Sequence, residues 1–206
     1  GGGARLGGPG RGGVGPWGFT ERDSVRPRAA GIGGKTDILI NTAEHVGTGG
    51  IVGAPGLTAG RDAFETGVFG LQRLAQQFGP AMIGRGADGI RSAAAFVDIL
   101  SVYALTNWAP FGEHSAVAAA RHSVLQCLRG EMRAGGVRVL SVFTGPVDDA
   151  WRQPLPPPKV TPSAIARAVV RALEDGIEES FVGDIAEDVR TRWEQDPQVL
   201  ERELQG

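Results

Sequence analysis

The sequence predicts an α/β fold built on a parallel sheet, and three features carry that expectation. From residue 37 onward, short apolar runs alternate with longer stretches whose apolar residues recur at helical spacing, the pattern of repeated strand and helix units. The run 137–143, Val-Arg-Val-Leu-Ser-Val-Phe, is nearly continuously apolar, as a parallel strand covered on both faces requires. A chain of 206 residues with 41% hydrophobic side chains is also long enough to bury a substantial core in one domain.

Residues 1–36 hold 13 of the 33 glycines and six Arg or Lys against two acidic residues. Such a composition buries little apolar surface and is entropically costly to order, so this Gly/Arg-rich segment is expected to be irregular and the α/β domain to span 37–206. Asp37-Ile-Leu-Ile-Asn41 reads as a buried strand. Across 61–83, Phe64, Val68, Leu71, Leu74, Ala75 and Phe78 recur at helical spacing. The stretch 94–100 makes a second strand, 114–132 a long helix with an Ala-rich start, and 137–143 a third strand. The Pro-rich stretch 154–158 is a stiff extended connection. Thr161-Pro162 opens a helix running to about 174, since threonine supplies a capping oxygen and proline suits the first helical position. A short last strand follows near 179–182, and then a charged amphipathic helix over 185–204, interrupted near Asp196-Pro197.

Composition narrows the function classes. A net charge of −2 gives no electrostatic reason to expect nucleic acid or an anionic membrane surface as partner. No apolar stretch approaches the roughly 20 residues of a membrane span, and no charged start precedes an apolar core as in a signal peptide. A single cysteine, Cys127, excludes an intrachain disulfide framework and fits a reducing, cytoplasmic setting. Its place in the apolar run Val124-Leu-Gln-Cys-Leu128 reads as a buried structural thiol.

The chemistry-bearing residues cluster at the ends of the expected strands. The first strand runs into Asn41-Thr42-Ala43-Glu44, the second ends at Ser101, and the third runs into Thr144-Gly145-Pro146-Val147. His114 opens the long helix 13 residues beyond Ser101, and Ala118 follows four residues later. Over about 37–183 this set resembles the short-chain dehydrogenase/reductase family. The resemblance implies a Rossmann-like three-layer parallel sheet, here truncated or incomplete in its N-terminal nucleotide-binding half. It also implies that Ser101 stands at the catalytic serine, and that Asn41, Ala43, Gly145 and Val147 lie beside an NAD(P) cofactor.

The same resemblance marks the departures. The family's Tyr-x-x-x-Lys becomes His114 and Ala118, its Asn-Asn-Ala-Gly ends in Glu44, a helix asparagine becomes Phe64, and the Pro of a Pro-Gly turn becomes Thr144. A phenol needs a neighbouring cation to exchange protons near neutrality, whereas imidazole, titrating near pH ~6.5, does not. Ala118 supplies neither charge nor donor for a nicotinamide ribose. The family's Gly-rich turn has its nearest match in Pro9-Gly-Arg-Gly-Gly13-Val-Gly15, with no strand before it and only the 21 residues 16–36 before the first strand. A βα crossover needs a dozen or more residues, so the full adenosine half does not fit.

Ser101 and His114 form a candidate acid/base pair, with Asp149 expected to orient the imidazole, giving a triad-like set. The alternative is that Ser101 is inherited scaffold and His114 a polar substitution at a helix start. His45, His114 and Glu44 lack a diagnostic metal-ligand spacing, so no metal is expected. His122 reads as an interface or surface residue, the charged run 174–179 as a solvated loop, and Trp108 and Trp151 as loop residues lining a cleft or packing beside it. The leading expectation is a non-catalytic or structural homologue that binds no NAD(P), or binds it weakly. The alternatives are an NAD(P)-dependent oxidoreductase using Ser101 and His114, and a cofactor-free hydrolase or lyase built on the same pair. By the resemblance, the partner is a second copy of the chain, paired through helices 61–83 and 114–132, where Gly67, Gly70, Ala75, Ala119 and Ala120 favour close approach.

Overall fold

Four parallel strands lie side by side in the order β1-β2-β3-β4: β1 Ile38–Asn41, β2 Ala95–Ser101, β3 Arg138–Thr144 and β4 Glu179–Val182. The computed structural model describes residues 25, 31–44, 47, 49–54, 56–87, 94–148 and 158–205. Register places Asn41 beside Asp98 and Ser101 beside Thr144, so the motif residues gather at one end of the sheet. The fold is a Rossmann-like α/β arrangement, as the sequence predicts. The Gly-rich stretch 9–15 lies outside the described residues.

Helices cover both faces of the sheet. On one side are α1 Thr58–Phe64, continued by a π-helical turn Glu65–Phe69 into α2 Gly70–Ala87, and α3 Gly112–Arg133. The C-terminal pair α5 Asp184–Gln195 and α6 Pro197–Gln205 packs into the same core. On the other side is α4 Pro162–Asp175. The pleat divides β2 between these layers: Phe96 and Leu100 join Leu71, Phe78, Leu125 and Met132, whereas Ala95 and Val97 join Ile165 and Val169. Within 1–36, Val25 is helical and buried in the larger core.

Local chemistry explains the boundaries. Thr161 Oγ1 accepts the Ala164 N–H at 3.2 Å, Pro162 fills the first turn, and Gly176 ends α4 in the left-handed region at φ 72°. Asp196 breaks the last helix with an extended backbone, and its carboxylate accepts the Gln198 and Val199 N–H groups to restart it. Gly67 in the π turn lies against α3, where an added Cβ would stand 2.6 Å from Val117 Cγ1, so this glycine serves a contact within the chain.

Four sequence expectations need correction. The first strand is not buried throughout: Ile38 and Ile40 are 47% and 49% exposed, because β1 is the edge of the described sheet and the α4 layer that covers Ala95 and Val97 does not reach them. Cys127 is exposed, because the buried face of α3 runs through Val117, Arg121, Leu125, Leu128 and Met132, and position 127 falls off that stripe. His122 is tied into the fold, its Nε2 lying 3.2 Å from Glu179 Oε1 and its ring edge-on to Phe143 at 5.1 Å. The charged run is likewise more than a solvated loop, since Glu178 pairs with Arg133 at 3.1 Å and Glu179 with Arg129 at 3.4 Å. The hydrogen bond from His122 is the main reason that Glu179 is held below the ordinary carboxylate range.

Candidate functional site

The ends of β1 and β2 and the start of α3 bring the site together. Ser101 closes β2, and its Oγ accepts the Tyr103 N–H at 3.3 Å, capping the 3-10 turn Val102–Ala104. His114 sits in the first turn of α3, buried, with its Nε2 3.5 Å from Glu44 Oε1. The carboxylate that meets the imidazole is thus the residue standing where the family has its glycine. Asp149, the expected partner of His114, lies outside the described residues, as do His45 and Trp151.

An aromatic group packs beside the imidazole. Tyr103 meets His114 edge-on with ring centres 5.9 Å apart, and it also lies 5.6 Å from Trp108 and 6.2 Å from Phe111. Trp108 and Phe111 stack at 5.0 Å. Burial pushes the Tyr103 phenol up to about 12, which makes it a poor proton donor near neutrality and fits it to forming the wall of the site. The loop carrying Trp108 is fastened at both ends: its N–H bonds Ser115 Oγ at 3.2 Å, while Gln205 donates to Asn107 O at 2.8 Å and accepts from Ala109 N–H at 3.2 Å. The C-terminal helix α6 therefore holds one wall of the site.

Beneath the pair is a buried polar cluster. Asn41 Nδ2 donates to Asp98 Oδ1 at 2.5 Å, and Arg121 Nη2 donates to both Asp98 oxygens at 2.9 and 2.8 Å and to Ile99 O at 3.0 Å. Burial pushes the Asp98 carboxyl up from its ordinary value, against the opposing pull of Arg121 and Asn41. Sequence reading passed over this pair. Its signal was an acid inside the apolar run 94–100 and an arginine on the apolar stripe of 114–132.

The remaining expected cofactor contacts have structural work of their own. Asn41 Oδ1 accepts the Ala43 N–H at 3.2 Å. An added Cβ at Gly145 would fall 3.0 Å from Ile185 Cβ, a tight contact, so the approach of α5 favours a glycine there. Val147 forms a parallel bridge with Val160, flanked by bonds of 2.8 Å from Asp148 N–H to Val160 O and from Val160 N–H to Pro146 O. Ala118 is buried and turns a methyl to its surroundings, while Phe64 packs beside Val68 and Val117. Among the described residues no group of three His, Cys, Asp or Glu side chains is placed to hold a metal ion, and no helix is long and apolar enough to cross a membrane.

No family model matches the chain. Among curated proteins it is 35% identical over 119 residues to short-chain dehydrogenase PC-15 of Penicillium crustosum, and equally to short-chain dehydrogenase ptmH of Penicillium ochrochloron. The match takes in 56% of this chain and 40% of each relative, less than half of their length. Among solved structures it resembles a short-chain dehydrogenase of Burkholderia cenocepacia J2315 in complex with NADP, with TM-score 0.82 and 28% identity, covering 91% of this chain and 76% of that one. A Streptomyces avermitilis short-chain dehydrogenase shares the fold with TM-score 0.77 at 24% identity, covering 88% and 74% of the two chains. Strand order, the residues at the strand ends and these likenesses agree: the chain has the fold of short-chain dehydrogenases/reductases and is similar to them in sequence.

Proposed function

We propose that this chain is a short-chain dehydrogenase/reductase homologue that has lost standard NAD(P)-dependent hydride transfer and serves a non-catalytic, structural role. The observation that carries the reading is the 3.5 Å approach of Glu44 to His114 Nε2. It sets a carboxylate and an imidazole at the two positions where the resemblance expects the cofactor-side glycine and the proton-donating tyrosine. A nicotinamide dinucleotide brings phosphates and ribose hydroxyls, so a carboxylate at that loop repels the one and Ala118 offers no donor to the other. The residues present do not fit that group in the standard manner. Calorimetric titration of the full chain with NADP(H) and NAD(H) tests this: no saturable heat up to millimolar ligand is expected, and micromolar binding would overturn it.

The second reading is an NAD(P)-dependent oxidoreductase that uses Ser101 and His114 in place of the standard set. It is favoured by the NADP bound in the similar Burkholderia structure. Micromolar cofactor binding together with turnover lost in His114→Ala would establish it.

The chain is further proposed to form a homo-oligomer through the helical layer of α1, α2 and α3. Phe69, 46% exposed in the π turn of that layer, supports this reading. Light scattering that gave a monomer mass at micromolar concentration would refute it. The single cysteine supports a reducing, cytoplasmic setting.

A further inference from the structure

We propose that Arg121 and Asp98 are positioning residues for the Glu44–His114 pair, acting through Asn41. The contacts form a ring that leaves α3 at Arg121 and returns to it at His114. Arg121 Nη2 holds both Asp98 oxygens at 2.9 and 2.8 Å, and Asp98 Oδ1 accepts Asn41 Nδ2 at 2.5 Å. Asn41 Oδ1 then accepts the Ala43 N–H at 3.2 Å, which fixes the turn after β1. The next residue, Glu44, carries its carboxylate to within 3.5 Å of His114 Nε2. Asn41, Asp98 and Arg121 are 3%, 0% and 2% exposed, so water does not compete within the chain of contacts.

The direction of each bond gives the ring its logic. An ionised carboxylate only accepts, and a guanidinium only donates. With Asp98 ionised against Arg121, Asn41 must turn its NH₂ toward Asp98, and its carbonyl oxygen is left facing Ala43. Without Arg121 nothing holds the buried carboxyl ionised, and once protonated it offers an O–H donor as well as an acceptor oxygen, so Asn41 is no longer restricted to one orientation. The Asn41 amide is then free to turn over, and the turn that carries Glu44 loses the fixed acceptor that holds Ala43.

Stability alone does not account for the arrangement. A buried ion pair is often no better than a well-packed apolar pair of the same volume. Here Nη2 makes all three recorded bonds of Arg121, while Nε is buried with no hydrogen-bond partner among the described residues. What the cluster uniquely provides is orientation of Asn41. The proposal concerns how the pair is held and stands whichever way cofactor binding turns out.

The test is an NMR titration of the His114 imidazole in the full chain. Glu44→Gln removes the carboxylate charge and is expected to lower the titration midpoint. Arg121→Met should lower it by at least half as much, with little further shift in the Glu44→Gln, Arg121→Met double variant, and Arg121→Lys should recover part of the wild-type value. Because Arg121→Met leaves a buried acid that can unfold the chain, the charge-free pair Asp98→Leu with Arg121→Met is the second variant, and it should show the same lowered midpoint in a folded protein. A wild-type midpoint in that folded double variant, while Glu44→Gln shifts, would overturn the proposal. A Glu44→Gln midpoint equal to wild type would overturn it as well.

Discussion

Glu44 and His114 meet 3.5 Å apart, although 69 residues separate them in the chain and each is a departure from the family pattern. Two substitutions that look independent along the sequence form one contact in the fold. Introduced alone, either would leave a polar group facing a partner of the wrong kind, a buried imidazole without a carboxylate or a carboxylate beside a phenol. The pairing joins the two departures into one carboxylate–imidazole contact at the sheet end.

Tyr103 is the chain's single tyrosine, which makes its ionisation directly readable. Its phenol should titrate at about 12, against ~10 for a free phenol, when followed by ultraviolet absorbance of the native protein. The sign follows from burial favouring the neutral form. This contribution to stability is complete below pH ~10, the unfolded value, and is lost as pH rises from there through the folded value. A native-state midpoint near 10 would mean that the aromatic group does not shield the ring as described.

Glu179 should give the opposite dependence. Its carboxyl is held low, chiefly by the His122 hydrogen bond, so its contribution is present above its unfolded value of 4.5 and lost as pH falls through the lower folded value. Urea unfolding of wild type and Glu179→Gln should therefore differ near neutrality and converge in acid below 4.5. A gap that stays constant across that range would assign the effect to packing instead.

Gly67→Ala should destabilise the protein. The added methyl would stand 2.6 Å from Val117 Cγ1, and a β-branched side chain on a helix has little rotamer freedom with which to yield. Overpacking of about 1–3 kcal/mol then outweighs the roughly 1 kcal/mol that alanine gains over glycine in a helix. The urea midpoint should fall with the slope unchanged, and Val117→Ala in the same chain should restore part of it.

Gln205→Ala should loosen the Trp108 loop without unfolding the domain. Two hydrogen bonds, to Asn107 O and from Ala109 N–H, tie α6 to that loop. Losing about 1 kcal/mol there should speed amide exchange at Ala109 about fivefold while the amides of β2 keep their wild-type rates. Equal protection at Ala109 in both proteins would show that the loop does not depend on the C-terminal helix.

The sequence by itself determined the elements and their order. Strand and helix periodicities, the Thr161-Pro162 start and the Asp196-Pro197 break are local signals, and the structure places β1 to β4 and the helices between them where those signals stand. The register that gathers Asn41, Ser101 and Thr144 at one sheet end follows from that order. Only the tertiary structure decided the partners: Glu44 with His114, Asp98 with Arg121, Gln205 with the Trp108 loop, and solvent rather than core for Cys127. Such pairings depend on how α3 lies across β1 and β2 and where α6 returns to them. Those distances are set by the packing of the whole core, and no window of neighbouring residues encodes them.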